Sequence, residues 1–120
     1  MAHNVTGIGG FFFRSADNNA LAQWYEQHFG INSMKSGGIW QQQEGPTVFA
    51  PFKADTTYYP AEQQFMLNLR VSDIDALLKD LEAAGVRIDE HRQDEAYGRF
   101  AWVYDPEGNK IELWEPGKES

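Results

Sequence analysis

Two stretches of the chain carry apolar residues at helical spacing. Leu21, Trp24, Tyr25, His28 and Phe29 recur at i, i+3, i+4, i+7 and i+8, and Ile74, Leu77, Leu78, Leu81 and Ala84 form a second stripe of the same kind. Each predicts an amphipathic helix with one buried face. Asp17 or Asn18 stands where the first helix needs a cap, and Ser72 with Asp75 three residues on resembles a capping box for the second. Gly30 and Gly85 follow the stripes as C′ residues, where a left-handed backbone favours glycine. A short apolar strand precedes each helix, at residues 10–15 and 65–71. Further strands are predicted after each: near 32–35, 38–42 and 47–52 in the first half, and at 86–91, 99–104 and 110–115 in the second. Asp105-Pro106-Glu107-Gly108-Asn109 joins the last two as a tight turn, with Pro fixing φ and Gly or Asn accepting positive φ.

The two halves also match residue by residue. At a fixed offset of 56, Arg14, Asp17, Ala20, Leu21 and Glu26 meet Arg70, Asp73, Ala76, Leu77 and Glu82. After a one-residue gap, Gly30 meets Gly85 and Ile31 meets Val86. Helical amphipathicity explains the matched Ala and Leu but not the Arg and Asp upstream of them, so an internal duplication is expected. The unit is β-α-β-β-β, used twice, as modules 7–52 and 65–116 joined by a polar, Pro-containing linker at 53–64. The expected fold is therefore α+β: one domain over residues 1–120 with helices on the outer face and the other sheet face free to curve around a ligand.

Composition narrows the chemistry. In 120 residues, 10 Lys+Arg stand against 18 Asp+Glu, a formal charge of −8, which argues against nucleic acid or an anionic membrane as partner. The absence of cysteine excludes disulfides, thiolate metal sites and thiol nucleophiles. No apolar run approaches the ~18 residues of a membrane span, and the opening Met1-Ala2-His3-Asn4 has no basic secretory signature, so a cytoplasmic protein is expected. Four Trp, five Tyr and eight Phe exceed what a small core needs. No dinucleotide loop, Walker loop or serine nucleophile elbow is present.

Two β-α-β-β-β halves ending in Val103-Tyr104-Asp105-Pro106-Glu107-Gly108-Asn109-Lys110-Ile111-Glu112-Leu113-Trp114-Glu115-Pro116 resemble the vicinal oxygen chelate superfamily, which includes glyoxalase I, extradiol dioxygenases and bleomycin resistance proteins. The likeness runs from about Gly7 to Pro116. It implies an open, barrel-like cup around a small-molecule site, often in a homodimer and sometimes built from two chains. It also implies four metal-ligand positions, one on the first and one on the last strand of each half. Here these fall on Gly10, on Phe49 or Ala50, on Met66 and on Glu112. Glycine has no donor atom and a thioether ligates hard metals poorly, so only Glu112 retains a ligating side chain and no metal cofactor is expected.

Strand alternation places Ile111 and Leu113 toward the helices, and Lys110, Glu112 and Trp114 toward the cup. The same parity puts Phe12 and Arg14, and Met66, Asn68 and Arg70, on the cup side. Trp40, flanked by glycines and glutamines, joins them as a candidate ligand contact, with Phe49 and Trp102, while Arg99 at a predicted rim is placed to meet an anionic group. Glu112 has three readings: a general base on an acidic C–H or O–H, a buried charge paired with Arg14, Arg70 or a backbone group, or an inherited residue that orients a ligand. The expected function is a metal-free cup that binds or sequesters a small aromatic or apolar compound. The alternative is a lyase, isomerase or dioxygenase-like enzyme, either metal-free around Glu112 or metal-dependent through other ligands.

Overall fold

A computed structural model describes residues 5–31 and 37–117. Its elements are α1 (Asn18–Phe29), β1 (Leu67–Arg70), α2 (Ile74–Ala83), β2 (Ile88–Glu95), β3 (Gly98–Tyr104) and β4 (Lys110–Pro116). The strands form one sheet in the order β1-β4-β3-β2, with β1 parallel to β4 and the other pairs antiparallel. The second half is thus the expected β-α-β-β-β unit.

Both helices cover the same face. Leu21 and Tyr25 of α1 and Ile74 and Leu81 of α2 pack with Leu69, Ala101, Val103, Ile111 and Leu113 of the strands in one apolar core. Fully burying a side chain of this size contributes about 1.5–3 kcal/mol, so this layer holds the domain together. Period-two alternation then turns Asn68, Trp102, Glu112 and Trp114 to the opposite face.

The helix ends are alike. Asp17 accepts a hydrogen bond from the Ala20 backbone N–H at 3.2 Å, and Asp73 accepts one from Ala76 at 3.1 Å. Gly30 and Gly85 both take positive φ, 71° and 81°. The second cap is Asp73, not the Ser72–Asp75 box expected from sequence. Glu115 of β4 reaches the same helix end and accepts from the Ile74 N–H at 2.8 Å.

The first half departs from expectation. Among the described residues no strand lies before Leu67, so the segments at 10–15, 38–42 and 47–52 do not form the predicted ladders, and the one near 32–35 lies outside the described residues. Phe12 is 90 % exposed and Phe49 85 %. A strand, unlike a helix, must find its hydrogen bonds on another strand, and among the described residues these segments pair with none. The described residues consequently present one open four-stranded sheet.

Contacts around α1 tie the halves together. The Tyr25 hydroxyl donates to Asp105 Oδ2 at 2.8 Å in the interior. Glu107, in the turn between β3 and β4, accepts from Ser15 Oγ and from the Ala16 and Asp17 N–H groups at 2.8–3.1 Å, so the turn caps α1. The Gln63 side chain acts as a false strand residue. It accepts from the Lys110 N–H and donates to the Lys110 carbonyl, both at 2.9 Å, at the end of the β1–β4 ladder.

Candidate functional site

The row Asn68–Glu112–Trp102 crosses three adjacent strands in register. Glu112 is 9 % exposed and Trp102 only 2 %. The Asn68 side-chain amide donates to Glu112 Oε1 at 2.7 Å, and the Tyr58 hydroxyl donates to Oε2. Both carboxylate oxygens therefore carry a neutral donor. Tyr58 comes from the linker, which crosses the open face instead of skirting it. Its ring meets Trp102 edge-on, with centroids 5.9 Å apart. Burial, then the bond to Glu112, pushes the Tyr58 hydroxyl pKa well above the ordinary tyrosine range.

The aromatic surface extends on both sides. Phe52 packs on Tyr58 at 5.4 Å, and His91 lies 5.0 Å from Trp102. His91 reaches that position because the β2–β3 register slips between Ile88 and Arg92, as at a bulge. Phe100 and Trp114 stack nearly parallel at 6.3 Å. Gly98 makes room for this indole, since a Cβ there would stand 2.5 Å from Trp114 Nε1. Lys110 Nζ donates to the Tyr58 carbonyl at 2.8 Å and sits 5.6 and 5.8 Å from the Tyr58 and Trp102 ring centres. The indole N–H groups of Trp102 and Trp114 are buried with no hydrogen-bond partner.

The residues named from sequence divide among several places. Asn68, Trp102, Glu112 and Trp114 share this face. Phe12 and Arg14 instead line a cavity of about 410 Å³ beside Tyr25, Gln63 and Phe65, at the β1 edge. Trp40 and Arg70 line a smaller hollow of about 140 Å³ with His28 and Leu77. The Arg70 guanidinium donates to the Gln43 carbonyl at 2.8 Å and to that of Pro46. Glu112 is therefore held by neutral donors, while Arg70 binds backbone carbonyls elsewhere. Arg99 bridges to Asp75 of α2 at 2.7 Å on the helix side, which removes it from any rim of this face. Met66 is half-buried just before β1, and Phe49 stands in solvent. Sequence reasoning missed Tyr58, because a polar linker without periodicity gives no sign of where it lies. The paired tyrosines Tyr58-Tyr59, among otherwise polar residues, were the available signal.

Enzymes of the resembled superfamily commonly hold a divalent metal at the Glu112 position, and the donors described here do not fit one. Among the described residues no three His, Asp or Glu side chains converge. The nearby β2 carboxylate, Asp89, is engaged by the His91 backbone N–H at 2.9 Å and the Tyr104 hydroxyl at 2.8 Å, which hold its pKa below the usual carboxylate range.

Comparison with known proteins places this geometry. The family model of the Glyoxalase/Bleomycin resistance protein/Dioxygenase superfamily matches residues 7–113. An uncharacterized protein of Mycolicibacterium smegmatis is 33 % identical over 60 residues, and that match spans about half the length of either protein, 50 % of this chain and 52 % of the relative. Among solved structures, TnmS3, an antibiotic binding protein from Streptomyces sp. CB03234, aligns with a TM-score of 0.63 and 24 % identity, covering 96 % of this chain and 99 % of that one. TioX from Micromonospora sp. ML1 aligns at 0.51 and 19 %, covering 88 % and 93 %. A superfamily member from Sphaerobacter thermophilus aligns at 0.50 and 20 %, covering 84 % and 90 %. These likenesses concern the fold, and the family match spans nearly the whole sequence. The chain belongs to the Glyoxalase/Bleomycin resistance protein/Dioxygenase superfamily.

Proposed function

We propose that this protein binds and sequesters a small aromatic or apolar compound on the Glu112 face, without a resident metal and without turnover. The observation that carries this reading is the state of Glu112. Its two oxygens accept from neutral donors, Asn68 and Tyr58, which fix the carboxylate in an aromatic face as a group that orients a bound molecule. Around it stand Trp102, His91 and Phe52, surface suited to a flat ligand. The resemblance in fold to an antibiotic binding protein supports the same reading. No helix among the described residues is long and apolar enough to cross a membrane, which agrees with a ligand met in solution.

We infer further that a second copy of the chain completes the cup. Phe12, Val48 and Phe49, between 70 and 90 % exposed, lie on segments with no sheet partner among the described residues. Both sheet edges, β1 and β2, are open to such segments. Two copies exchanging them would cover the rings and satisfy the backbone.

The test is calorimetry with a panel of planar aromatic compounds, followed by chromatography of the mixture after prolonged incubation. Saturable binding with the compound recovered intact is expected. Conversion of a bound compound, lost in Glu112→Gln, would overturn sequestration and favour the enzymatic alternative.

A further inference from the structure

The Glu112 face offers two hydrogen-bonding groups of opposite kind within one aromatic frame. Glu112 Oε2 accepts a hydrogen bond from the Tyr58 hydroxyl. The Trp102 indole N–H, in a side chain 2 % exposed, has no acceptor at good hydrogen-bonding geometry. A buried N–H left without an acceptor is costly and rare, and it marks a place where an oxygen is wanted. The Tyr58 oxygen lies close to the Trp102 N–H and feels it as a weak donor, although the geometry falls short of a full hydrogen bond. One chemical group satisfies both demands at once, a hydroxyl that donates to the carboxylate and accepts from the indole.

The frame restricts what can carry that hydroxyl. Tyr58 enters from a segment with neither helix nor strand and leaves its ring 36 % exposed, edge-on to Trp102 and under the Lys110 ammonium. A flat π-system in that position gains the edge-to-face contact and the cation above it, which an aliphatic alcohol does not.

Resting on the proposed ligand-binding role of this face, we propose that its ligand class is the hydroxylated planar aromatic, a phenol or naphthol, and that Tyr58 is a built-in stand-in which such a ligand displaces. The ligand hydroxyl takes over the bond to Glu112 and the weak contact with the Trp102 N–H, both of which Tyr58 makes in the free protein.

The experiment compares 2-naphthol with 2-methoxynaphthalene on the intact protein. The ring is the same, but the ether has no donor. Affinities come from calorimetry, and position from the Trp102 indole resonance in ¹⁵N-labelled protein, assigned with Trp102→Phe. A hydrogen bond to a charged group favours 2-naphthol by about tenfold or more, with a clear shift of the Trp102 N–H. Tyr58→Phe, which removes the internal donor, should tighten 2-naphthol. Equal affinity for the two compounds would overturn the hydroxyl requirement while leaving aromatic binding intact. A preference for 2-naphthol with the Trp102 resonance unmoved would place the ligand elsewhere and overturn the assignment. If neither compound binds, this proposal and the sequestering role both fail. The wild-type comparison needs no variant, so instability of a Glu112 substitution does not affect it.

Discussion

The two halves of this chain share a sequence pattern and differ in what they build from it. Residues 67–117 form a helix and four hydrogen-bonded strands, whereas residues 5–66, where described, contribute one helix and extended segments laid against their neighbour. The difference teaches which instructions are local. A helix closes its hydrogen bonds within itself, and its cap and terminal glycine lie within a turn of it, so α1 needs only packing from its neighbours, not their backbone groups along its length. A strand owns only half of each hydrogen bond. The first-half segments have a suitable apolar pattern, and among the described residues none is paired with a strand.

The sharpest way to probe that contrast is to delete equal apolar bulk from each side. Leu113→Ala in the closed core should cost about 2–5 kcal/mol in urea unfolding, since Leu113 is fully buried between both helices. Phe49→Asp, in the exposed segment, should change unfolding by about 0.5 kcal/mol or less in dilute protein. In concentrated protein it should lower the mass seen by light scattering from dimer to monomer. A wild type that stays monomeric at every concentration would sink the two-chain cup.

Next in size is the buried bond between the halves. Tyr25→Phe leaves the packing of α1 in place but removes a donor from Asp105, which is 4 % exposed. Asp105 keeps its bonds from Asn109 and the Glu107 N–H, so a loss of about 1–3 kcal/mol is expected. Burial, then the bond to Asp105, pushes the Tyr25 hydroxyl pKa far upward, so this phenol stays protonated in alkali while the fold persists. An ultraviolet titration in which all five tyrosines ionise together below the unfolding pH would contradict that.

The smallest effect concerns Glu107, whose pKa is held below the usual carboxylate range by the Ala16 and Asp17 N–H groups and Ser15. A carboxylate with a depressed folded pKa contributes stability above its unfolded pKa and loses it as pH falls through the folded one. Melting temperature should therefore decline through the acid limb below the usual glutamate range, and Glu107→Gln should flatten that part of the profile. A variant whose acid limb parallels the wild type would show that the turn does not stabilise α1 through charge.

How far the sequence could be read follows the same division. The helices, their terminal glycines, the Asp105–Asn109 turn and the inward and outward parity of β4 were visible because each depends on neighbours along the chain. Ile111 and Leu113 do face the helices, with Glu112 between them turned away. The site was legible in its strand residues, Asn68, Trp102 and Glu112. It was not legible in Tyr58, because the path of a linker is decided by tertiary contacts such as Gln63 on Lys110. Arg99 was misplaced because its partner Asp75 is remote in sequence and belongs to the other face. Phe12 and Phe49 were expected on a cup face, and among the described residues their segments join no sheet.

The Gln63 clamp has a consequence for how readily the face can be entered. It fixes the linker five residues after Tyr58, so a released phenol remains on a leash of at most roughly 18 Å, by the span of a fully extended chain. Any incoming ring then competes with a rival present at a local concentration on the order of millimolar, set by tether length. Weak visitors are turned away by this standing competition, and only compounds that outbid a millimolar phenol are retained.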